Sequence, residues 1–415
     1  MTQLVGAVTG LPGRHLDPWL MPPAVCREVF TRGSRAADLS VVEGTVGEVA
    51  DAPAPLLCRF RAYTERPGAL LPLAETLELP VVAIVDSRTA SPLHPPEIPS
   101  VADAVIFDRI ESREQFDQLR SITRLILGKP VLGAVDDLAQ IREMLAGLPA
   151  HRPVPADLPE ALARSFARYA DFDAIHGLAE HRMSAASWAR SESATSSGRR
   201  RRYRVACAMD AAFGSYFPDT LEAIETLGGQ IVEFSPLHDE ALPLDVDLVL
   251  IGCGFPDLHA EQLAANYSMI AALSDHVCRG QRIYSEGGGT AYLARTMILV
   301  DRRVPGAGIL PIDAELLPNF VWPEPVEREL LDDAWLAPRG TRVRGYRSSR
   351  WRLRPAPEPQ DCPARCGQLT SEPDVFFQHN AVGGTIHLHL GALPEVVESF
   401  VPRRSVKLAP PRRVS

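Results

Sequence analysis

The residues that could do chemistry gather at 284–293, which read Tyr-Ser-Glu-Gly-Gly-Gly-Thr-Ala-Tyr-Leu. Gly280-Gln281-Arg282-Ile283 before them has the form of a turn feeding a short strand, and the alanine- and leucine-bearing stretch after them has the form of a helix. A strand that turns sharply on glycines into a helix is how α/β amidotransferases and hydrolases present a nucleophile. Glycine adopts the φ/ψ of such a turn without a Cβ clash, and a helix N-terminus behind the turn favours an anion. The nucleophile itself is missing: the tip offers Glu286, Gly287, Gly288 and Gly289, with no cysteine among them.

The cysteines lie elsewhere, at Cys26, Cys58, Cys207, Cys253, Cys278, Cys362 and Cys366. An odd, scattered set in a large chain predicts reduced thiols in the cytoplasm rather than a disulfide framework. Cys362 and Cys366 make half a zinc site by spacing, with only His379 near them. The better reading is a pair of free loop thiols, and no metal site is expected.

The elements that must position these groups read as two α/β units. A chain of 415 residues, 46% hydrophobic and 23% charged, has room for two or three full cores. Its net charge of −9 argues against a general nucleic-acid binder. No apolar run has the length of a membrane span, and the first residues lack the pattern of a signal peptide. In the first unit, the runs at 39–44, 80–86 and 104–108 are short, apolar and β-branched, and stretches such as 112–125 have helical spacing. Continuous apolar strands alternating with helices predict a parallel sheet covered on both faces. Glu43, Asp86 and Asp108 then fall at strand ends, where such folds place ligands and where strands also simply reach water. Residues 150–185 read as helical. The serines and the Arg199–Arg204 run of 184–204 read as a linker, more readily a solvated one than a phosphate contact.

The second unit opens with a strand at 204–209, a helix at 218–227 closed by Gly228-Gly229, and strands at 230–234 and 246–252. One long amphipathic helix is expected over 260–279. After Leu317 the pattern loosens, to resume with an alternating strand at 384–390 and a helix at 394–400.

Several phrases together resemble one family, the cobyrinic acid a,c-diamide synthases, whose C-terminal half is a class I glutamine amidotransferase domain. They are Asp210-Ala-Ala-Phe with Tyr216-Phe-Pro-Asp219-Thr-Leu-Glu, then Phe234-Ser-Pro-Leu-His-Asp-Glu-Ala-Leu-Pro and Ile251-Gly-Cys-Gly-Phe-Pro-Asp-Leu-His-Ala-Glu261, followed by Ala264-Ala-Asn-Tyr-Ser-Met and Thr385-Ile-His-Leu-His-Leu. In the N-terminal half the matching phrases are thinner: His15-Leu-Asp-Pro-Trp-Leu-Met21, Val41-Val-Glu-Gly44, Val105-Ile-Phe-Asp-Arg109 and Pro130-Val-Leu-Gly133. The resemblance implies a P-loop-NTPase-like N-terminal domain of dethiobiotin-synthetase type over 1–183, a linker over 184–202, a flavodoxin-like amidotransferase domain over 203–405 and a tail over 406–415.

The family's machinery can be checked against these residues. Its members bind ATP and Mg on a P-loop, Gly-x-x-x-x-Gly-Lys-Ser/Thr. This sequence contains no such motif and reads as starting after that unit, so no cofactor is expected; a mis-called start would produce the same pattern. The family's nucleophile elbow resembles Tyr-Ala-Glu-Cys-Gly-Gly-Leu-Met-Tyr-Leu, which puts its cysteine at Gly287. Glutamine hydrolysis through a thioester needs that sulfur. The family's general-base histidine corresponds to His387, which is present with His389 beside it.

Cys253, in a loop where the family has glycine and forms its oxyanion hole, is a candidate substitute thiol or a space-filling small residue. Its side chain is expected to approach the elbow from the wrong direction. His238 and His259 match family positions of structural type. Asp17, Glu43 and Asp51 are the candidate substrate-binding residues of the N-terminal half. The resemblance therefore implies a catalytically degenerate homologue, a binding or partner subunit for a corrinoid or tetrapyrrole, alone as a homo-oligomer or paired with an active homologue. The alternative is an active amidoligase with an atypical site.

Overall fold

The computed structural model describes residues 6, 9–35, 37–44, 70–146, 154–155, 157–185, 202–318, 323–330, 334–348, 350–356 and 374–401. Two compact units divide the chain, residues 1–195 and 196–415.

In the first unit, α1 (Pro23–Ser34) starts on a proline at its first turn and buries Cys26, Val29 and Phe30. It packs against α2 (Leu70–Leu77), which buries Leu73, Ala74 and Leu77. Strands β1 (Val82–Asp86) and β2 (Ala104–Ile110) pair in parallel. Helix α3 (Arg113–Leu127) follows. The Ser112 side chain accepts from the Gln115 N–H at its start, and Gly128 closes it at φ 63°. Its Phe116 and Leu119 lie in a core with Val105, Phe107 and Ala134. Strand β3 (Val131–Asp136) completes a parallel sheet of order β1-β2-β3. Helices α4 (Ala139–Ala146), α5 (Asp157–Ala167) and α6 (Phe172–Ala185) end the described part of the unit.

Two expectations for this unit change. Residues 39–44 form no strand, and Val41 is 82% exposed. A β-branched run without a ladder partner has no backbone bonds to hold it extended. The strand-end acids are also engaged: Asp86 pairs with Arg88 at 2.7 Å, and Asp108 with Arg142. The expected linker lies almost wholly outside the described residues, as do Asp51, Cys58, Cys362 and Cys366.

In the second unit, β4 (Tyr203–Ala208) runs into the short β5 (Phe213–Ser215) and α7 (Pro218–Thr226). Then come β6 (Gly229–Phe234), β7 (Leu248–Ile251) and β8 (Cys253–Gly254). The long helix expected over 260–279 is two helices, α8 (Ala260–Ala265) and α9 (Tyr267–Cys278). Asn266 breaks it, because its side chain accepts from the Met269 N–H and starts a new helix there. Strand β9 (Arg282–Glu286) leads through Gly287 into α10 (Gly288–Leu293).

Beyond the elbow, β10 (Thr296–Ile298), β11 (Arg303–Pro305) and β12 (Ile312–Leu316) precede β13 (Glu324–Glu329), β14 (Arg342–Arg347) and β15 (Trp351–Pro355). The alternating run expected at 384–390 is shared between two sheets. Val375–Gln378 (β16) and Ala381–Gly384 (β17) extend the main sheet, whereas Ile386–Leu388 (β18) pairs with β14 and sets Tyr346 opposite His387. The chain closes on α11 (Pro394–Glu398).

The main sheet has the order β6-β4-β7-β9-β17-β16, parallel except for β16. Its first strand, β4, lies between the second and third, so the winding reverses between β4 and β7. In doubly wound sheets the loops beyond the C-terminal ends of the strands at such a reversal form the ligand crevice. The central strand β7 is apolar throughout and all four of its residues are buried, as suits an α/β strand covered on two faces. Leu248, Leu250, Tyr284 and Val382 pack to one side with Ile224, Val396 and Phe400; Val249, Ile251 and Ile283 pack to the other with Met269 and Leu273.

Candidate active site

The site stands at the C-terminal ends of β7 and β9. Gly287 has φ 50° and ψ −112°, a conformation that side chains resist, and its N–H donates to the Gly384 carbonyl at 2.8 Å. A Cβ on Gly289 would stand 2.2 Å from the Ile251 carbonyl oxygen, so only glycine lets α10 approach the end of β7 this closely. Thr290 fastens the turn to β17: its hydroxyl donates to the Gly384 carbonyl at 3.1 Å and accepts from the Gly384 N–H at 2.9 Å.

Across the turn, Tyr216 fixes the end of β7. Its hydroxyl accepts from the Gly252 N–H at 2.9 Å and donates to the Ala208 carbonyl at 2.8 Å. Cys253 then pairs with Ser215 of β5. The loop before β5 is held by Asp210, whose carboxylate accepts from the N–H groups of Ala212 and Phe213, from Ser235 Oγ and from the Leu237 N–H. The separate sequence phrases at 210 and 234 are thus two sides of one clamp.

Three side chains meet in this frame. His387 Nδ1 pairs with Glu286 Oε2, and Cys253 Sγ lies 3.7 Å from the same nitrogen. Glu286, 5% exposed, is fixed through its other oxygen, Oε1, which accepts from Tyr284 Oη at 2.6 Å and from the Leu388 N–H at 3.1 Å. Burial would lower the pKa of His387, but the Cys253 sulfur and the Glu286 carboxylate beside it raise it well above the usual imidazole value. Burial first, then Glu286, holds Tyr284 as a phenol far above its ordinary range, so it remains a donor. Phe217 stacks on the His387 ring at 4.2 Å between centroids and tilts against His389 at 4.8 Å. His389 and Asp219, both almost fully buried, face each other at 3.8 Å one layer deeper.

Gly287, Cys253 and His387 are therefore brought together. Cys253 does approach the vacant elbow: its Sγ lies 2.9 Å from where a Cβ on Gly287 would stand. The polypeptide reaches the same space from the opposite wall, because β8 folds back on β5 and aims residue 253 at the turn. Glu286 and Tyr284 were legible only as part of the elbow, although an acid immediately before the turn was the available signal. Asp17 and Glu43 belong to the other unit. Asp17 is fully buried and accepts from the Trp19 N–H at 2.8 Å, while Glu43 is exposed. His238 and His259 are not among the three converging side chains. Among the described residues, no helix is long and apolar enough to cross a membrane.

Residues 204–392 match the CobB/CobQ-like glutamine amidotransferase domain. Similarity to curated proteins extends over most of the chain. A cobyrinate a,c-diamide synthase of Methanothermobacter thermautotrophicus is 26% identical over 94% of this chain and 88% of its own. One from Salmonella typhimurium is 28% identical over 95% and 87%. A hydrogenobyrinate a,c-diamide synthase of Streptomyces coelicolor is 28% identical over the same shares. The glycine elbow, the clamp and the histidine-bearing strand all lie inside the matched domain: residues 204–392 are a CobB/CobQ-like glutamine amidotransferase domain, in a chain similar over most of its length to cobyrinate a,c-diamide synthases.

Proposed function

We propose that this chain keeps the diamide synthase scaffold as a corrinoid- or tetrapyrrole-binding or partner subunit and does not hydrolyse glutamine at its elbow. The observation that carries the reading is Gly287. The backbone keeps the strained φ of 50° that serves to project a nucleophile, yet the residue has no side chain to project. The Cys253 sulfur takes up the room left over, 2.9 Å from the absent Cβ. With no thiolate on the turn there is no attack along the path that the elbow was built to present. The scaffold's other surfaces remain available to a corrin carboxylate or to an active homologue, as a homo-oligomer or a heteromer.

The test is direct. Purified protein incubated with glutamine is expected to release no glutamate above the rate of a heat-denatured control. Calorimetric titration with ATP and Mg is expected to give no heat.

A second reading, an active amidoligase that transfers ammonia from glutamine to corrin carboxylates, is favoured by one observation, the 3.7 Å separation of Cys253 Sγ and His387 Nδ1. On that reading glutamate is released, and Cys253→Ala and His387→Ala each abolish the release. Glutamate release lost in both variants would overturn the first reading.

A further inference from the structure

The Sγ of Cys253, a carboxylate oxygen of Glu286 and a ring nitrogen of His387 all lie within 4.8 Å of one another. That geometry differs from a proton relay. In a Cys–His–acid relay the two ring nitrogens divide the work, one facing the thiol and the other the acid. Here sulfur and carboxylate both face Nδ1, so one nitrogen is asked to serve two partners. Three donors of different chemistry aimed into one space are instead what a cation requires.

We propose that Cys253, Glu286 and His387 form a three-ligand site for a borderline-soft divalent cation of the zinc class, with a fourth position left for water or a ligand atom. The separations suit that ion. Tetrahedral zinc with a bond of about 2.3 Å to sulfur and about 2.0 Å to nitrogen sets those two donors roughly 3.6 Å apart. Sγ and Nδ1 stand 3.7 Å apart here. The His387–Glu286 hydrogen bond must open for the ion to enter, since the metal takes the place of the proton between them. Charge also balances: a thiolate, a carboxylate and a neutral imidazole cancel a divalent ion, so little net charge is buried. Binding displaces the thiol proton and any proton on the imidazole to bulk water. A set with one thiolate and one imidazole selects zinc-like ions over magnesium or calcium, which take oxygen ligands.

The surroundings hold the ligands in place, as metal sites need. Tyr284 Oη and the Leu388 N–H occupy Oε1 of Glu286 and leave Oε2 to point at the site. Phe217 fixes the plane of the His387 ring, and the pairing of β8 with β5 fixes Cys253. A small cavity lined by Tyr216, Phe217, Gly252, Tyr284, Glu286 and His387 adjoins the donors. The proposal is independent of glutamine hydrolysis, which can be absent whether or not an ion binds.

The full chain, freed of metal by chelator dialysis, is titrated calorimetrically with Zn²⁺ and, separately, with Co²⁺ followed by absorption. Expected are binding of one ion per chain, a heat that varies with the buffer's protonation enthalpy because protons are released, and a thiolate-to-cobalt charge-transfer band with the intense visible bands of tetrahedral cobalt. Cys253→Ser is expected to abolish the charge-transfer band and to weaken Zn²⁺ binding about 10- to 100-fold, and His387→Gln to weaken it similarly, with unchanged circular dichroism. The double variant Cys362→Ser/Cys366→Ser, which removes the sequence-adjacent thiol pair, is expected to bind as the parent does. A wild-type cobalt complex with no thiolate band overturns the proposal without recourse to any variant. So does Zn²⁺ binding of undiminished affinity in Cys253→Ser, or binding that is lost in the Cys362/Cys366 variant instead.

Discussion

The sulfur of Cys253 stands 2.9 Å from the point at which a Cβ on Gly287 would lie. Residue 287 carries no side chain, and one from the facing strand end occupies the space beside it. The relationship makes the two positions interdependent, so that neither can be altered as if it were alone.

Placing a cysteine at the elbow therefore needs two changes. Gly287→Cys by itself is expected to clash with Cys253, to lower stability by about 1–3 kcal/mol and to yield no glutaminase activity. Gly287→Cys with Cys253→Gly removes the clash and puts a thiol on the strained turn. The double variant is expected to recover part of the stability and to release glutamate from glutamine at a measurable rate. A double variant as unstable as the single one would refute the steric account.

Tyr284→Phe should loosen the acid that holds His387. The buried Oε1 of Glu286 loses its 2.6 Å donor and keeps only the Leu388 N–H. The expected cost is about 1–2 kcal/mol in urea denaturation, because an ionised acceptor is left short of a partner.

Arg350 supports the wall behind the elbow. Its guanidinium meets the Asp257 carboxylate at 2.5 and 3.3 Å and lies 5.0 Å over the Phe255 ring. Asp257 sits in the short turn whose Pro256 packs against Gly288. Arg350→Ala should cost roughly 1–3 kcal/mol, discounted for the partial exposure of the arginine, and Arg350→Lys less. Chemical denaturation of the three proteins gives the order.

His276 should make the fold sensitive to acid. Burial first, against a partial offset from the Arg282 carbonyl that its Nε2–H donates to at 3.1 Å, holds its pKa below the ordinary 6.5. Asp247 raises it somewhat and Arg279 lowers it. Because the unfolded state takes up the proton first, the contribution to stability is complete above 6.5 and is lost as pH falls from there through the folded-state value. His276→Gln should flatten the fall in denaturation midpoint between about pH 7.5 and 5.5. An equally steep fall in the variant would assign the acid sensitivity elsewhere.

Thiol labelling should separate buried from accessible sulfur. Burial pushes the Cys207 thiol up to about 12, whereas Cys278 is exposed. Iodoacetamide at neutral pH, read by peptide mass spectrometry, should modify Cys278 readily and Cys207 only on unfolding.

Much of this was legible in the order of residues. The apolar runs at 204–209, 230–234 and 246–252 read as strands because β-branched and aliphatic residues between turn signals have few other uses. The Gly228-Gly229 stop was local, and local signals are what a sequence carries best. Where the reading failed, a contact distant in the chain had intervened. Asn266 capped a second helix where helical spacing alone ran through, residues 39–44 found no neighbouring strand, and the run at 384–390 was divided between two sheets.

By itself, then, the sequence determined that a glycine turn follows a strand, that residue 287 has no side chain, and that a histidine stands at 387. Only the tertiary structure decided that Cys253 fills the vacancy and that Glu286 grips His387. Those pairs lie 134 and 101 residues apart for His387 with Cys253 and with Glu286. Periodicity and propensity report a residue's near neighbours in the chain. Which side chains converge beyond the ends of β7 and β9 depends on strand order, on the fold-back of β8 onto β5 and on the pairing of β18 with β14, and each of these is set by packing over the whole unit.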